Sequence, residues 1–251
     1  MMQRYFIREE DWQGDKVRVT GDDVHHITRV MRMKEGNEII CNHPSGKAAS
    51  CVIESISPDV VQCEVSEWLE GNSELPVEVS IVQALGKGDK LETVVQKGTE
   101  MGAAYFYPYQ ADRSVVKWDM KKSSKKVERL RKIAKEASEQ SHRNVIPGIS
   151  DVQSMEQILE HSSDYDLKIF AYEDEARTEQ FHSLSDAIAS LDSGQRMIVF
   201  IGPEGGFSDN EVQKLNDSGF ISVRLGPRIL RMETAPLYLL ACVSYQFEEM
   251  R

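Results

Sequence analysis

The sequence predicts an α/β protein in which a mostly parallel sheet has helices on both faces and follows a small β-rich domain. Two observations predict this class. Beyond residue 77, strand-like apolar runs alternate with helix-like segments, which is typical of parallel sheets. Before residue 70, short strand-like runs are separated by turn clusters. The polar stretch 71–76 contains a glycine and a proline, and is interpreted as the linker between domains 1–70 and 77–251.

The N-terminal domain is predicted to contain two neighbouring strands and one helix. The strands are 38–42 and 49–54, with turn residues between them. The segment Asp22–Lys34 has helical spacing, with an apolar face and a basic face. The apolar face consists of Val24, Ile27 and Met31, and the basic face consists of His25, Arg29 and Arg32. The basic face suits a nucleic-acid backbone, and the alternative is ordinary solvated helix surface.

The C-terminal domain is predicted to alternate five strands with five helices. The predicted strands are 77–85, 104–109, 167–172, 197–201 and 220–225. The predicted helices are 90–101, 123–143, 183–191, a helix that starts after Ser208, and 235–250. The last helix is apolar, and its Leu237, Leu239, Leu240 and Val243 are expected either to build a dimer interface or to pack in the core.

The charge of the chain is negative overall but unevenly distributed. The formal net charge is −11, which argues against indiscriminate nucleic-acid binding. The segment 113–143, however, contains 11 Lys and Arg but only 4 Asp and Glu. This basic block includes Lys121, Lys122, Lys125 and Lys126. Such a block predicts either a local phosphate-binding face or a solvated helix surface.

Cysteine usage and hydropathy place the chain in a reducing compartment. Cys41, Cys51, Cys63 and Cys242 form no C-x-x-C pair and are expected to be buried free thiols, with no metal site. The charged N-terminal stretch shows no secretory signal, and no apolar run approaches the roughly 20 residues that span a bilayer. The expected location is therefore cytoplasmic.

The segment 198–212, IVFIGPEGGFSDNEV, predicts a strand, a glycine turn and a helix. Ser208 and Glu211 have the spacing of a capping box at the helix start. Strand–turn–helix units of this kind usually bind phosphate. This turn, however, lacks the Lys-Ser/Thr pair of a phosphate loop and carries the carboxylate of Glu204. A ligand other than a polyphosphate is therefore expected.

A second unusual loop, LGPRILRMETAP at 225–236, follows the next strand of the chain. Thr234 is predicted to be the N-cap of the last helix, with Pro236 in its first turn. Ile229, Leu230 and Met232 are apolar where solvent exposure is expected. A hydrophobic ligand or a partner subunit would cover them, and local packing is the alternative.

The two loops together, IGPEGGFS and LGPRILRMETAP, resemble the S-adenosylmethionine site of the SPOUT methyltransferases. More closely, they resemble the RsmE family, which methylates N3 of a uridine in 16S ribosomal RNA. Three further segments match that family's pattern in order: HHITRVMRMKEGNEI, KGDKLETVVQKGTEMG and EASEQSHRNVIP. The resemblance implies a PUA-like β-barrel RNA-binding domain, a C-terminal trefoil knot, a homodimer, and 16S rRNA or the 30S subunit as partner.

The resemblance also implies which residues form the site. The expected S-adenosylmethionine-binding residues are Ile201, Gly202, Pro203, Glu204, Gly205, Leu225, Gly226, Leu230, Arg231, Met232, Thr234 and Ala235. The expected RNA-binding residues are His25, Arg29, Arg32, Lys121, Lys122, Lys125 and Lys126. No metal is needed, because the sulfonium is already a good leaving group.

Three arginines are candidates for stabilising negative charge on the uracil while its N3 proton leaves. Arg231 is the first, because it lies in the cofactor loop and its fork suits O2 or O4 of the base. Its alternative role is a salt bridge with Glu233 or Glu204. Arg143 follows the basic helix and matches the family's Q-S-x-R pattern, and Arg113 lies in a loop after a strand.

Two other functions stay open on the sequence alone. One is a SPOUT methyltransferase that acts on another RNA or on a ribose 2′-hydroxyl. The other is a non-catalytic RNA-binding protein that helps ribosome assembly. The intact cofactor loops argue against the second, since a binding module has no use for them.

Overall fold

The chain forms two compact units. The computed structural model describes residues 2–172 and 182–250. One unit comprises Met1–Glu74 and Ser138–Val145, and the other comprises Leu75–Ala137 and Ile146–Arg251. The division after Glu74 falls inside the stretch predicted as a linker. The segment Ser138–Val145, which the sequence places in the C-terminal domain, is grouped instead with the N-terminal unit.

The N-terminal unit is built on a six-stranded curled sheet with the order β1-β4-β5-β6-β3-β2. Its strands are β1 Arg4–Phe6, β2 Trp12–Gln13, β3 Lys16–Thr20, β4 Glu38–Asn42, β5 Ala48–Ile56 and β6 Val60–Trp68. Neighbours pair antiparallel except β1 and β4. The concave core contains Cys41, Cys51 and Cys63, which are buried free thiols as predicted. Cys242 is a free thiol too, but only partly buried.

The helix predicted for Asp22–Lys34 is shorter than expected. Helix α1, Asp22–His25, continues as a π-helical turn over His26–Val30, in which the N–H of Met31 donates to the carbonyl of His26 at 2.9 Å. This wider turn rotates the following residues, so Met31 is 37% exposed instead of lying on the buried face. Arg32 lies outside the helix and adopts a left-handed φ of 52°.

The C-terminal unit contains a fully parallel six-stranded sheet with the order β12-β10-β11-β7-β8-β9. Its strands are β7 Glu78–Ala84, β8 Tyr105–Tyr109, β9 Gly148–Ile149, β10 Leu167–Ala171, β11 Arg196–Ile201 and β12 Ile221–Val223. The two-residue strand β9 was not predicted. The parallel sheet itself confirms the expected class.

Helices cover both faces of this sheet, as predicted. They are α2 Lys90–Glu100, α3 Met120–Gln140, α4 Met155–Glu160, α5 Leu184–Ala189, α6 Asp209–Asp217 and α7 Ala235–Ser244, which ends in a π-helical turn at Tyr245–Glu249. Alternate residues of β11 face opposite ways. Val199 packs in a core with α2, α3, α5 and α7, whereas Phe200 packs in a core with α4 and α6. Helix α4 was not predicted, and the trefoil knot stays a prediction.

Candidate functional site

A cavity of about 620 Å³ lies beyond the carboxyl ends of three parallel strands. The bend after β11, residues 201–207, lines one side, and the loop after β12, residues 225–232, lines another. Strand β10 lies between β11 and β12 in the sheet, and its last residue Ala171 and the following Tyr172 also line the cavity. Small-molecule sites of α/β proteins form at this edge of the sheet and have volumes of roughly 300–1,000 Å³.

Most residues that the sequence predicts for the cofactor lie together at this cavity. Those that line it are Ile201, Gly202, Pro203, Glu204, Gly205, Leu225, Gly226, Leu230, Arg231, Met232 and Ala235. Thr234 is not among the lining residues. It occupies the N-cap position of α7, as predicted, but its side chain forms no capping hydrogen bond.

The bend after β11 is fixed by the predicted capping box. The Ser208 hydroxyl accepts from the Glu211 N–H at 3.1 Å, and the Ser208 N–H donates to the Glu211 carboxylate at 2.8 Å. Glu211 is 3% exposed, and its other oxygen accepts from the Asp112 N–H at 3.1 Å. The Ser208 hydroxyl also donates to Asp112 at 2.6 Å. The loop after β8 is thereby tied to the start of α6.

Glycines bring the main chain close to its neighbours in this bend. A Cβ on Gly202 would lie 3.2 Å from the ring of Phe207, and one on Gly205 would lie 3.3 Å from the Cβ of Arg113. Gly206 adopts a φ of 70°, which disfavours other residues. These three positions of the turn therefore favour glycine, for close packing at Gly202 and Gly205 and for the backbone conformation at Gly206.

Glu204 is held by a lysine that the sequence did not indicate. The Lys90 ammonium lies 2.9 Å from Glu204 Oε1 and 3.4 Å from Glu233 Oε2. Burial acts to raise the pKa of Glu204, but hydrogen bonds from Lys90 and from backbone amides outweigh it and lower that pKa. The hydrogen bond to Glu204 in turn raises the pKa of Lys90. Both shifts favour the charged forms of Glu204 and Lys90.

Arg231 extends from the second loop with its side chain exposed. Its two predicted ion-pair partners, Glu204 and Glu233, both pair with Lys90 instead. Within residues 2–172 and 182–250, no carboxylate forms an ion pair with Arg231. Its carbonyl accepts from the N–H groups of Thr234 and Ala235 at 2.9 and 3.0 Å, which fixes the start of α7. A cationic side chain is thus free to act on a bound molecule.

Comparison with known proteins identifies the family. A family model described as an RNA methyltransferase domain matches residues 73–244, and one described as an RNA methyltransferase PUA domain matches residues 19–66. The ribosomal RNA small subunit methyltransferase E of Bacillus subtilis is 48% identical over all of this chain and 99% of its own length. The chain belongs to this methyltransferase E family. The resemblance seen in the sequence is confirmed, and so is its PUA-like N-terminal domain.

Two further members of the methyltransferase E family support this assignment. That of Mycobacterium bovis is 33% identical over 90% of this chain and 85% of its own length. A crystal structure of the Neisseria gonorrhoeae protein bound to S-adenosylmethionine superimposes with a TM-score of 0.85. The two chains share 26% identity and match over 98% of each.

The other two catalytic candidates differ in their surroundings. Arg113 lines the cavity and donates to the carbonyl of Gly205 at 3.3 Å. Arg143 belongs to the N-terminal unit, is 4% exposed, and pairs with Glu74. It is not among the residues that line the cavity. Helix α3 ends at Gln140, not at Arg143. The chain leaves the helix because His142 takes a left-handed φ of 60°, and the Arg143 N–H donates to the Ser138 carbonyl at 2.9 Å.

The predicted RNA-binding residues lie on accessible surface in both units. His25, Arg29 and Arg32 are exposed in the N-terminal unit, and Lys121, Lys122 and Lys125 are exposed on α3. Lys126 is half-buried, with its ammonium 4.6 Å from the centre of the Trp118 ring. Among the described parts of the chain, no helix is long and apolar enough to cross a bilayer, and no cluster of side chains has the composition to hold a metal ion.

Proposed function

We propose that this protein uses S-adenosylmethionine to methylate N3 of a uridine in 16S rRNA of the small ribosomal subunit. The cavity formed by the two glycine-containing bends carries this proposal. It offers backbone groups and the apolar side chains of Leu225, Leu230 and Met232, which suit an adenosine better than a polyphosphate. The similarity to ribosomal RNA methyltransferases supports the rRNA substrate, which would place the reaction in the cytoplasm.

The residues present fit the cofactor. Gly202 and Gly205 line the cavity, and the absence of a Cβ lets the main chain there pack against Phe207 and Arg113. When bound, S-adenosylmethionine supplies an electrophilic methyl group on a positively charged sulfur. Lys90 pairs with the carboxylates of both Glu204 and Glu233, so one ammonium offsets part of the negative charge of these two groups. No lysine is needed within the turn, because no phosphate has to be bound.

The chain contributes orientation and charge stabilisation to the transfer. The bends that line the cavity would orient the cofactor against the base, and such alignment supplies much of the rate in displacement reactions. N3 would lose its proton to solvent ahead of methyl transfer, so negative charge develops on O2 and O4 until the bond between nitrogen and the methyl group forms. Arg231 is the cation proposed to stabilise that charge, with Arg113 at the rim of the cavity as a second donor. Arg143 is proposed to act structurally, because its guanidinium is buried.

Product analysis tests the proposed activity. The purified protein is incubated with methyl-labelled S-adenosylmethionine and either 30S subunits or free 16S rRNA from a strain that lacks the enzyme. We expect the label in N3-methyluridine. Label in 2′-O-methylribose would support the alternative ribose methyltransferase. Absence of cofactor binding by calorimetry would instead favour the non-catalytic RNA-binding protein.

Neutralising Arg29 and Arg32 is expected to weaken RNA binding and flatten its salt dependence. Both side chains are exposed next to the exposed apolar pair Val30 and Met31. Each lost phosphate contact lowers the slope of log K against log salt by about 0.7 to 0.9. The double variant R29Q/R32Q is compared by filter binding at several salt concentrations. Lys16→Gln serves as the control, because Lys16 pairs with Glu54 and Glu64. An unchanged slope would remove this face from the RNA interface.

A homodimer through α7 is the second proposal. Leu239, Leu240 and Val243 are fully buried within the unit, so core packing accounts for them. The outward face presents Tyr238 and Tyr245, which are 37% and 61% exposed. A helix that is apolar all round needs a second surface to cover its outer face.

Charged substitutions on that outer face are expected to give monomers. We expect analytical ultracentrifugation to show a dimer for the natural chain and a monomer for Y238E/Y245E. The control V115E changes an apolar residue outside α7 that is as exposed as Tyr245, since Val115 is 62% exposed. A natural chain that sediments as a monomer at micromolar concentration would contradict the proposal.

A further inference from the structure

We propose that Lys90 is a positioning residue that holds the two bends of the cofactor pocket together as the shared cation of Glu204 and Glu233. The inference rests on the proposed function, because it concerns the pocket as an S-adenosylmethionine site. It also assigns a role to Glu204, which ties the first bend to Lys90 whether or not it touches a ligand.

The three charged groups come from separate segments of the sheet edge. Lys90 is the first residue of α2 after β7, Glu204 lies in the bend after β11, and Glu233 lies in the loop after β12. The ammonium contacts both carboxylates, at 2.9 and 3.4 Å. The side chains of Lys90, Glu204 and Glu233 are only 23%, 32% and 23% exposed, so solvent screens their interaction less than on an open surface.

The segment between β7 and α2, which leads into Lys90, also packs directly against the loop after β12. A Cβ on Gly86 would lie 2.8 Å from the sulfur of Met232, so the main chain at Gly86 and the Met232 side chain are in close contact. The buried Gln83 side chain donates to the Met232 carbonyl at 3.5 Å. The β7–α2 segment thus packs against the loop after β12, and Lys90 connects this segment to the bend after β11 through its ion pair with Glu204.

Loss of the Lys90 charge would leave two carboxylates facing each other across the bends. Like charges at partly buried positions repel, and the repulsion favours separation of the segments that carry them. A pocket with separated bends binds any adenosyl ligand less well, whatever the charge on its sulfur. Loss of Lys90 should therefore weaken the binding of S-adenosylmethionine and of S-adenosylhomocysteine to a similar extent.

A direct electrostatic role of Lys90 on the cofactor predicts a different pattern. S-adenosylmethionine carries a positive sulfur that S-adenosylhomocysteine lacks. If the Lys90 ammonium acted mainly by repelling that charge, its removal would tighten binding of the cofactor relative to the product. The comparison of the two ligands separates the two roles.

Calorimetric titration of Lys90→Met with both ligands tests the proposal. We expect the Kd for S-adenosylmethionine and for S-adenosylhomocysteine to rise by a similar factor of about tenfold or more. Lys90→Arg should keep most of the affinity. In turnover assays the KM for the cofactor should rise, while kcat at saturating cofactor changes by less than about threefold. Lys97→Met is the matched control, because Lys97 lies on the same helix and pairs with Glu100.

Repeating the test in a variant that lacks both carboxylates separates the proposed role of Lys90 from any general effect on folding. In E204Q/E233Q, Lys90 has no carboxylate left to bridge, so adding Lys90→Met should change the Kd by less than about twofold. An equal effect of Lys90→Met in both backgrounds would overturn the proposal, as would tighter binding of the cofactor relative to the product. If the natural chain itself binds no S-adenosylmethionine, the proposed function fails instead.

Discussion

Glu74→Ala is expected to lower the free energy of unfolding by about 3 kcal/mol or more. Arg143 is 4% exposed, and its Nε donates to the Glu74 carboxylate at 3.0 Å. The other Glu74 oxygen accepts from the N–H groups of Asn144 and Val145 at 3.0 and 3.2 Å. The substitution takes a carboxylate from a buried guanidinium and removes the acceptor of two amides. Urea denaturation followed by circular dichroism measures the loss.

A more conservative variant separates charge from hydrogen bonding at this position. Glu74→Gln keeps an oxygen that can accept from Asn144 and Val145 but loses the ion pair, so it should be destabilised by less than Glu74→Ala. Glu70→Ala is the control, because Glu70 is exposed and surface substitutions usually change stability by no more than about 0.5 kcal/mol. A loss below 1 kcal/mol for Glu74→Ala would show that the pair does not hold Ser138–Val145 in the N-terminal unit.

The features predicted correctly from the sequence are those with local signals. The strand, turn and helix around 198–212 were predicted from an apolar run, its glycines and the spacing of Ser208 and Glu211. The structure contains both hydrogen bonds of that capping box. Strand and helix alternation similarly predicted a parallel sheet, since hydrophobic periodicity is decided within a few residues.

The features that were missed depend on residues far apart in the chain. Lys90 lies 114 residues before its partner Glu204, and no pattern in either segment indicates the pair. Buried Arg143 pairs with Glu74, 69 residues earlier, whereas its place after the basic helix and its match to the family pattern had made it a catalytic candidate. Strand order is equally non-local. The loops after β11 and β12 follow consecutive predicted strands, yet β10 lies between those strands in the sheet.

Arg231→Ala is expected to lower kcat by about 10²- to 10³-fold while changing the Kd for S-adenosylmethionine by only a few-fold. The side chain lines the cavity and forms no ion pair with the carboxylates of the described chain, so its charge is available to the substrate. Its backbone carbonyl, which holds the start of α7, is kept by the substitution. Single-turnover assays give the rate of methyl transfer, and calorimetry gives the cofactor affinity.

Two comparisons make this prediction specific to the guanidinium. Arg231→Lys keeps the charge but not the planar fork, so it should recover only part of the lost rate if Arg231 contacts two oxygens of the developing anion. Arg196→Gln removes a partly buried arginine at the amino end of β11, where it pairs with Glu78, and should leave the rate near that of the natural chain. A full rate for Arg231→Ala would exclude Arg231 from the transition state. An equal loss of rate and cofactor affinity would instead make it a binding residue, because removing an interaction that acts only in the transition state lowers kcat without weakening ligand binding.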